Sequence, residues 1–377
     1  MAQSRSLIAE QRLGEATEVL RRAVRLAPER PDLLVQLGEV MEKNQDTPQA
    51  AEAFRSAVAR DSTSSEAHRH LAAALARLED FGEAKRHAQL AVACDPDNAS
   101  AFVLLGLFQT REGQYQGAID AFAAAVRADP GLGDGWFRLG ETHLQVGDFA
   151  AAEEAYQRAV AIDSTEARYF DGLGAVRLRQ RRYADAVPQL ERAVALNPLY
   201  ARAHHNLGNA YLRAGDRERG QRELERYRLL DEQDQRIIGL RDAIARDPSR
   251  PGPFHDLGVL YGQRGQYDRA AEEYHLALAR DSTFAPSWVN LANIHLRQRE
   301  VDRAVALFLR AARADSTYAL AQAGLGNAYM IRGEVPAAIE RFRRAAALDP
   351  DNEELRRSLA AAEAIAHGRA APGPVPR

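Results

Sequence analysis

The chain has 377 residues, of which 46% are hydrophobic and 27% charged, and its formal net charge at pH 7 is −3. This balance argues against a duplex nucleic-acid binder, which needs a concentrated basic face to displace phosphate counterions. A single cysteine, Cys94, excludes an internal disulfide and a CxxC metal site. With neither a long apolar run nor the apolar core of a signal peptide, we expect a cytoplasmic protein without a membrane span.

A short segment that ends in Pro or Ser, usually after Asp, recurs along the whole chain. Successive members lie 34 residues apart, except that Pro198 and Pro248 are 50 residues apart. The members end at Pro28, Ser62, Pro96, Pro130, Ser164, Pro198, Pro248, Ser282, Ser316 and Pro350. A period kept this strictly predicts a repeat array.

Each repeat contains a Leu followed by Gly or Ala, as at Leu37-Gly38 and Leu139-Gly140. Further along comes a second small residue, and one helical turn later there is usually a large apolar residue, such as Phe54 or Tyr156. Small residues permit two helix backbones to cross closely, and the large residue fills the groove beside the crossing. The pattern therefore predicts a first and a second helix, antiparallel, in every repeat.

This period and these positions resemble the tetratricopeptide repeat family over roughly residues 5–366. The resemblance implies an all-α, right-handed superhelix of about nine full repeats. Its first helices would line a concave groove, and its second helices would form the convex back.

In chain order, residues 1–30 are predicted to form a partial N-terminal repeat that starts inside the repeat unit, and residues 31–234 six full repeats. Residues 251–352 are predicted to form three more full repeats, and residues 353–366 a capping helix. Residues 367–377 are rich in Pro, Gly and Ala and are predicted to be a disordered tail. The insertion at 235–250 leaves two alternatives. One is a single long helix over about 217–246, and the other is a break near 231–234 followed by an extra half-repeat. Both predict a bend between the flanking blocks.

Signatures of catalysis are missing from the sequence: it contains no HExxH, GxSxG, Walker-type or EF-hand motif. We therefore expect no enzyme activity, no cofactor and no metal. His205 and His255 occupy the same position in successive repeats. We expect both residues to line the groove and to contact a bound peptide, rather than to bind a metal ion.

Asparagines recur beside the Leu-Gly or Leu-Ala pair in the later repeats. They are Asn206, Asn209, Asn290, Asn293 and Asn327. Asn is a poor helix former, and its amide can pair with both the C=O and the N–H of an extended peptide. Such a ladder resembles the groove of the O-linked N-acetylglucosamine transferase repeats. The alternative is that these amides face water or hydrogen-bond between neighbouring helices.

Other groove positions differ from this ladder. Asp256 and Gly324 interrupt it, and Asp256 would repel a terminal carboxylate, so we reject a clamp of the kind found in chaperone-binding members. The early repeats carry a mixed charged lining, including Arg138, Glu141 and Arg179, which suggests a separate partner surface or none.

The predicted function is a non-catalytic scaffold that binds an extended peptide or a partner protein. The alternatives are an assembly protein that self-associates or bridges subunits, or the repeat arm of a larger enzyme whose catalytic domain is absent.

Overall fold

The computed structural model of the chain describes Ser6, Leu7 and residues 12–368. Within these residues the regular secondary structure is α-helix throughout. The predicted tail from residue 369 onwards lies outside the described residues, as does most of the shortened first helix of the partial repeat. The chain divides into two compact units, Met1–Tyr227 and Arg228–Arg377.

The first unit starts with α1 (Leu13–Leu26), which is the second helix of the predicted partial repeat. Five pairs of a first and a second helix follow: α2 (Pro31–Lys43) and α3 (Thr47–Arg60), α4 (Ser65–Arg77) and α5 (Phe81–Cys94), α6 (Ala99–Arg111) and α7 (Tyr115–Ala128), α8 (Gly133–Val146) and α9 (Phe149–Ile162), α10 (Ala167–Arg179) and α11 (Tyr183–Leu196). The first helix α12 (Ala201–Ala214) then packs on the beginning of α13 (Arg217–Arg246).

The second unit contains the end of α13, three helix pairs and a final helix. They are α14 (Pro251–Gln263) and α15 (Tyr267–Arg280), α16 (Ala285–Arg297) and α17 (Val301–Ala314), α18 (Ala319–Ile331) and α19 (Val335–Leu348), and α20 (Glu353–Ala366). In both units each first helix packs against its own second helix. The predicted all-α fold of consecutive helix pairs is confirmed.

The crossing within most pairs follows from the small and large residues of the sequence pattern. A Cβ added to Gly326 of α18 would lie 2.6 Å from Cε1 of Phe342 in α19, and one added to Gly106 would lie 2.6 Å from Cε1 of Phe122. Phe342 and Phe122 are 2% and 1% exposed. The small residue and the ring therefore occupy one another's space, which fixes how the two helices approach.

The ends of the helices use local hydrogen bonds and backbone turns. Asp80 Oδ1 accepts from Glu83 N at 3.1 Å, and Asp148 Oδ1 accepts from Ala151 N at 3.1 Å, so both residues cap second helices. Gly147, in the turn between α8 and α9, has φ of 86°, in the left-handed region that suits the end of a helix.

A ring N–H near the start of several first helices ties that helix to the preceding turn. Trp136 Nε1 donates to the Pro130 carbonyl at 3.1 Å, and Trp288 Nε1 donates to the Ser282 carbonyl at 2.9 Å. His204 Nε2 lies 3.0 Å from the Pro198 carbonyl in the same register. Sequence reasoning missed this link, although these residues share one repeat position.

The insertion after the sixth repeat is part of one helix, α13, rather than a break followed by a half-repeat. The unit boundary falls inside this helix. Leu224 packs against Gly208 in the first unit, and Ile237 packs with Leu257 and Leu260 in the second. The bend predicted here stays a prediction.

The helix crossing can be tested with two glycines of the second unit. Gly326→Ala should lower the free energy of unfolding by about 1–3 kcal/mol, because the new methyl group meets the buried Phe342 ring. Gly239→Ala on the exposed side of α13 should raise it by about 0.5–1 kcal/mol, because nothing lies within 4 Å and Ala is the better helix former. Urea denaturation followed by circular dichroism measures both changes, and equal effects would contradict the assigned crossing.

Candidate functional site

The candidate site is the surface formed where successive first helices of one unit lie side by side, here called the first-helix face. Contacts between successive first helices occur in both units, for example between α10 and α12 and between α16 and α18. The predicted residues divide between the units. Asn206, Asn209 and His205 lie in the first unit, and His255, Asn290, Asn293 and Asn327 lie in the second.

Asn206 holds a buried carboxylate of the neighbouring first helix. Its Nδ2 donates to Asp171 Oδ1 at 2.8 Å. Asp171 is fully buried, and its other oxygen accepts from Arg202 Nε at 2.7 Å and from the Tyr200 hydroxyl at 3.3 Å. A buried charge is stabilised only when it is paired and hydrogen-bonded in this way. Asn206 therefore links α12 to α10, as the alternative interpretation of the asparagines describes.

Asn209 and His205 make contacts near their own helix. Asn209 Nδ2 donates to the His205 carbonyl at 2.9 Å and lies 3.2 Å from His205 Nε2. The His205 ring packs against Tyr227, with 4.9 Å between ring centroids. Both side chains thus already have partners within the first unit.

His255 is a packing residue of the second unit. Its Nδ1 lies 3.0 Å from Ser287 Oγ, and its ring contacts Tyr274 and Phe284 at centroid distances of 5.5 and 5.3 Å. Burial lowers the pKa of His255 below its usual value. Over residues 6–7 and 12–368, no group of three or more His, Cys, Asp or Glu is arranged to hold a metal ion.

Asn293 and Asn327 differ from the other predicted asparagines. They are exposed, they occupy the same position on the neighbouring helices α16 and α18, and neither side chain hydrogen-bonds to any described residue. Asn290 is half-buried beside the Tyr274 hydroxyl, and burial raises the pKa of Tyr274 to about 12. The second unit therefore presents two neighbouring free amides.

Two adjoining pockets open on the first-helix face of the first unit. One has a volume of about 330 Å³ and is lined by Leu107, Thr110, Tyr115, Phe122, Arg138, Glu141, Thr142 and Gln145. The other has a volume of about 300 Å³ and is lined by Glu141, Leu144, Gln145, Tyr156, Gly172, Ala175, Leu178, Arg179, Arg202 and Asn206. The mixed charged lining noted in the sequence falls on these pockets, but their shape could not be derived from the repeat pattern.

An all-α array of paired helices, with a first-helix face in each unit, defines a class of repeat protein, and the family comparisons agree. A family model described as tetratricopeptide repeat matches residues 1–65, 36–99, 69–133, 255–319 and 289–353, and a second of the same description matches 109–175 and 177–244. These matches cover more than half of the chain. The chain belongs to the tetratricopeptide repeat family.

Solved structures similar to this chain are related to it only distantly. MamA aligns at 22% identity over 45% of this chain and 93% of its own, with a TM-score of 0.41. YrrB, described as a TPR protein with an unusual peptide-binding site, aligns at 18% identity over 50% of this chain and 97% of its own, with a TM-score of 0.44. A Pseudomonas aeruginosa protein, PilF, aligns at 22% identity over 53% and 91%, with a TM-score of 0.48. Likenesses at these scores carry no conclusion about function.

Two further searches, one among curated proteins and one for membrane-spanning helices among the described residues, found nothing. No curated protein matches the chain. Among the described residues, no helix combines the length and the apolar character needed to cross a membrane.

The different roles of Asn206 and Asn293 can be tested by their effect on stability. Asn206→Ala should lower the free energy of unfolding by about 1–3 kcal/mol, because it removes a hydrogen bond from the buried Asp171 carboxylate. Asn293→Ala should leave stability unchanged or slightly higher, because an exposed amide is replaced by a better helix former. Thermal and urea unfolding provide the measurement. A cost for Asn293→Ala as large as that for Asn206→Ala would contradict the assignment.

Stability should also depend on pH through two histidines. Burial is the largest cause that lowers the pKa of both His87 and His255. As the pH falls below about 6.5, the unfolded chain therefore takes up protons that the folded chain does not, and stability decreases until the folded pKa values are passed. The double variant with His87→Gln and His255→Gln should lose less stability than the parent between pH 7.5 and pH 5. Parallel pH profiles of unfolding would contradict this origin.

Proposed function

We propose that the chain is a non-catalytic interaction scaffold that holds an extended peptide segment on the first-helix face of its second unit. The observation that carries this proposal is the pair of free, exposed amides of Asn293 and Asn327 on neighbouring first helices. The tetratricopeptide repeat family provides the general class, a protein-interaction module, and the two amides provide a candidate site within it.

The geometry of helix packing supports recognition of the peptide backbone. Neighbouring helices pack about 8–10 Å apart, and an extended chain rises about 3.3 Å per residue. Amides one repeat apart would therefore meet peptide groups about three residues apart. Because each amide has both donors and an acceptor, it can pair with the backbone without selecting a side chain.

Apolar side chains on the same first helices provide contact area beside the amides. Leu296 and Met330 are half-buried, and Ile331, next to Met330, is 61% exposed. A bound peptide that covers these groups gains from removing apolar surface from water. Backbone pairing at the amides and apolar contact beside them are together the expected source of affinity.

The other predicted residues already contact groups within the protein, which leaves fewer of them available to contact a ligand. Asn206 and His255 have internal hydrogen-bond partners, and His205 packs on Tyr227. A ligand would have to break these contacts to use the same groups. We therefore assign to them the role of supporting the first-helix faces, and leave Asn293 and Asn327 as the groups that contact the ligand.

The proposal predicts that binding depends on the ligand's backbone and on both amides. A pool of short synthetic peptides of mixed sequence should bind the full chain, and the double variant Asn293→Ala with Asn327→Ala should weaken binding about tenfold or more. N-methylation of the peptide backbone should weaken binding to the parent in the same way, because it removes the N–H donors. Fluorescence anisotropy measures all three.

Gln235→Ala is the matched control, because this amide is exposed on α13 and has no hydrogen bond with any described residue. The control should bind the peptide pool like the parent. Unchanged binding by the double asparagine variant, or equal binding of N-methylated peptides, would show that these amides do not hold a peptide backbone.

A further inference from the structure

The two adjoining pockets of the first unit form a surface with different chemistry from the asparagine pair. They share Glu141 and Gln145 of α8 as a common wall. On one side of this wall the exposed surface is more apolar than polar, and Leu107, Phe122 and Tyr115 lie beside Thr110, Arg138 and Thr142. On the other side the lining includes two arginines, an asparagine and a tyrosine. We call them the apolar pocket and the polar pocket.

The polar pocket exists because one repeat carries small residues where its neighbours carry long ones. Gly172 and Ala175 of α10 occupy the positions held by Arg138 and Glu141 in α8 and by Asn206 and Asn209 in α12. Side-chain atoms are therefore missing from the middle of the face. A Cβ at Gly172 would lie 2.5 Å from Cε1 of Tyr156, so the Tyr156 ring fills the space beneath α10.

Most charges around the polar pocket are already paired. Arg202 donates to the buried Asp171 at 2.7 Å, and Arg138 donates to Glu141 at 3.1 Å. Arg179 is exposed on the pocket wall and has no ion pair or hydrogen bond with any described residue. One positive charge in the pocket is therefore left without a partner.

A second unpartnered group lies in the same pocket. Tyr156 is only 1% exposed, and its hydroxyl makes no hydrogen bond with any described residue. Among the described residues, the fully buried polar atoms that lack a partner do not include this oxygen, so the hydroxyl reaches the surface of the pocket, where it can donate to a ligand. A free guanidinium and a free hydroxyl donor in one pocket complement a single carboxylate, which accepts hydrogen bonds from both.

We propose that the first unit binds a second peptide segment, which places an acidic side chain in the polar pocket and an apolar side chain in the apolar pocket. A carboxylate suits the pocket better than a phosphate dianion, because Glu141 lies on the wall and only one cation is unpaired. The pockets lie about one repeat apart, and neighbouring helices pack about 8–10 Å apart. Three residues of polyproline II helix span about 9 Å and return to the same side, so the two side chains should be three residues apart.

This site does not depend on the asparagine pair of the second unit, because the two sites share no residue. The variants that test one therefore leave the other intact. A failure of backbone-dependent binding at Asn293 and Asn327 would leave the proposed binding at the two pockets standing. A failure of binding at the pockets would likewise leave the proposed role of the two asparagines standing.

The direct test uses the full chain and fluorescent peptides that differ in one group. The peptides contain Phe-Pro-Pro-Glu or Phe-Pro-Pro-Gln, and the same residues in reverse order, because the direction of binding is open. In at least one order the Glu peptide should bind about tenfold more tightly than the Gln peptide. Arg179→Gln should remove this preference. Arg158→Gln should keep it, because Arg158 is an unpaired, exposed arginine on the second helix α9.

A second variant separates the pocket from a general charge effect. Ala175→Leu keeps every charge but fills the polar pocket, and it should weaken binding of the Glu peptide without changing the helical circular dichroism. A phosphoserine peptide is included as an alternative anion. Four results would each overturn the proposal: equal binding of Glu and Gln peptides, a preference that survives Arg179→Gln, tighter Arg179-dependent binding of the phosphoserine peptide, or no peptide binding at all.

Discussion

The close crossing of the two helices within each repeat is the constraint on which the rest of the structure depends. A small residue in the first helix lies against a large buried residue of the second, as Gly326 lies against Phe342 and Gly106 against Phe122. Protein interiors are packed too densely to absorb an extra methyl group there. Because this contact recurs in most full repeats, the first helices of a unit come to lie side by side, and the first-helix face follows from that arrangement.

Positions on the first-helix face are free of this constraint, and they differ between repeats. Gly172 and Ala175 leave a pocket where the neighbouring repeats place Arg138 and Glu141 or Asn206 and Asn209. A regular backbone thus carries an irregular surface. Both proposals place binding at these irregular positions, since the buried crossing residues serve the fold.

Polar side chains on the first-helix faces have two different roles, and their partners distinguish them. The buried Asp171 carboxylate collects hydrogen bonds from Arg202, Asn206 and Tyr200, and so joins the loop before α12 and α12 itself to α10. Asn293, Asn327, Arg179 and the Tyr156 hydroxyl have no such partner among the described residues. The groups around Asp171 are therefore already satisfied, whereas the others have no partner among the described residues, and both proposals rest on this distinction.

The sequence by itself determined the repeat period, the pairing of first and second helices, the family and the positions that line each face. These depend on local spacing and on the sizes of residues at a crossing, both of which are visible in the linear order. Tertiary structure alone decided that α13 is one helix, that Asn206 is held by Asp171 while Asn293 is free, and that Arg179 and Tyr156 line one pocket. Hydrogen bonding and burial depend on side chains about one repeat away in sequence, so identical residue types at equivalent positions acquire different roles.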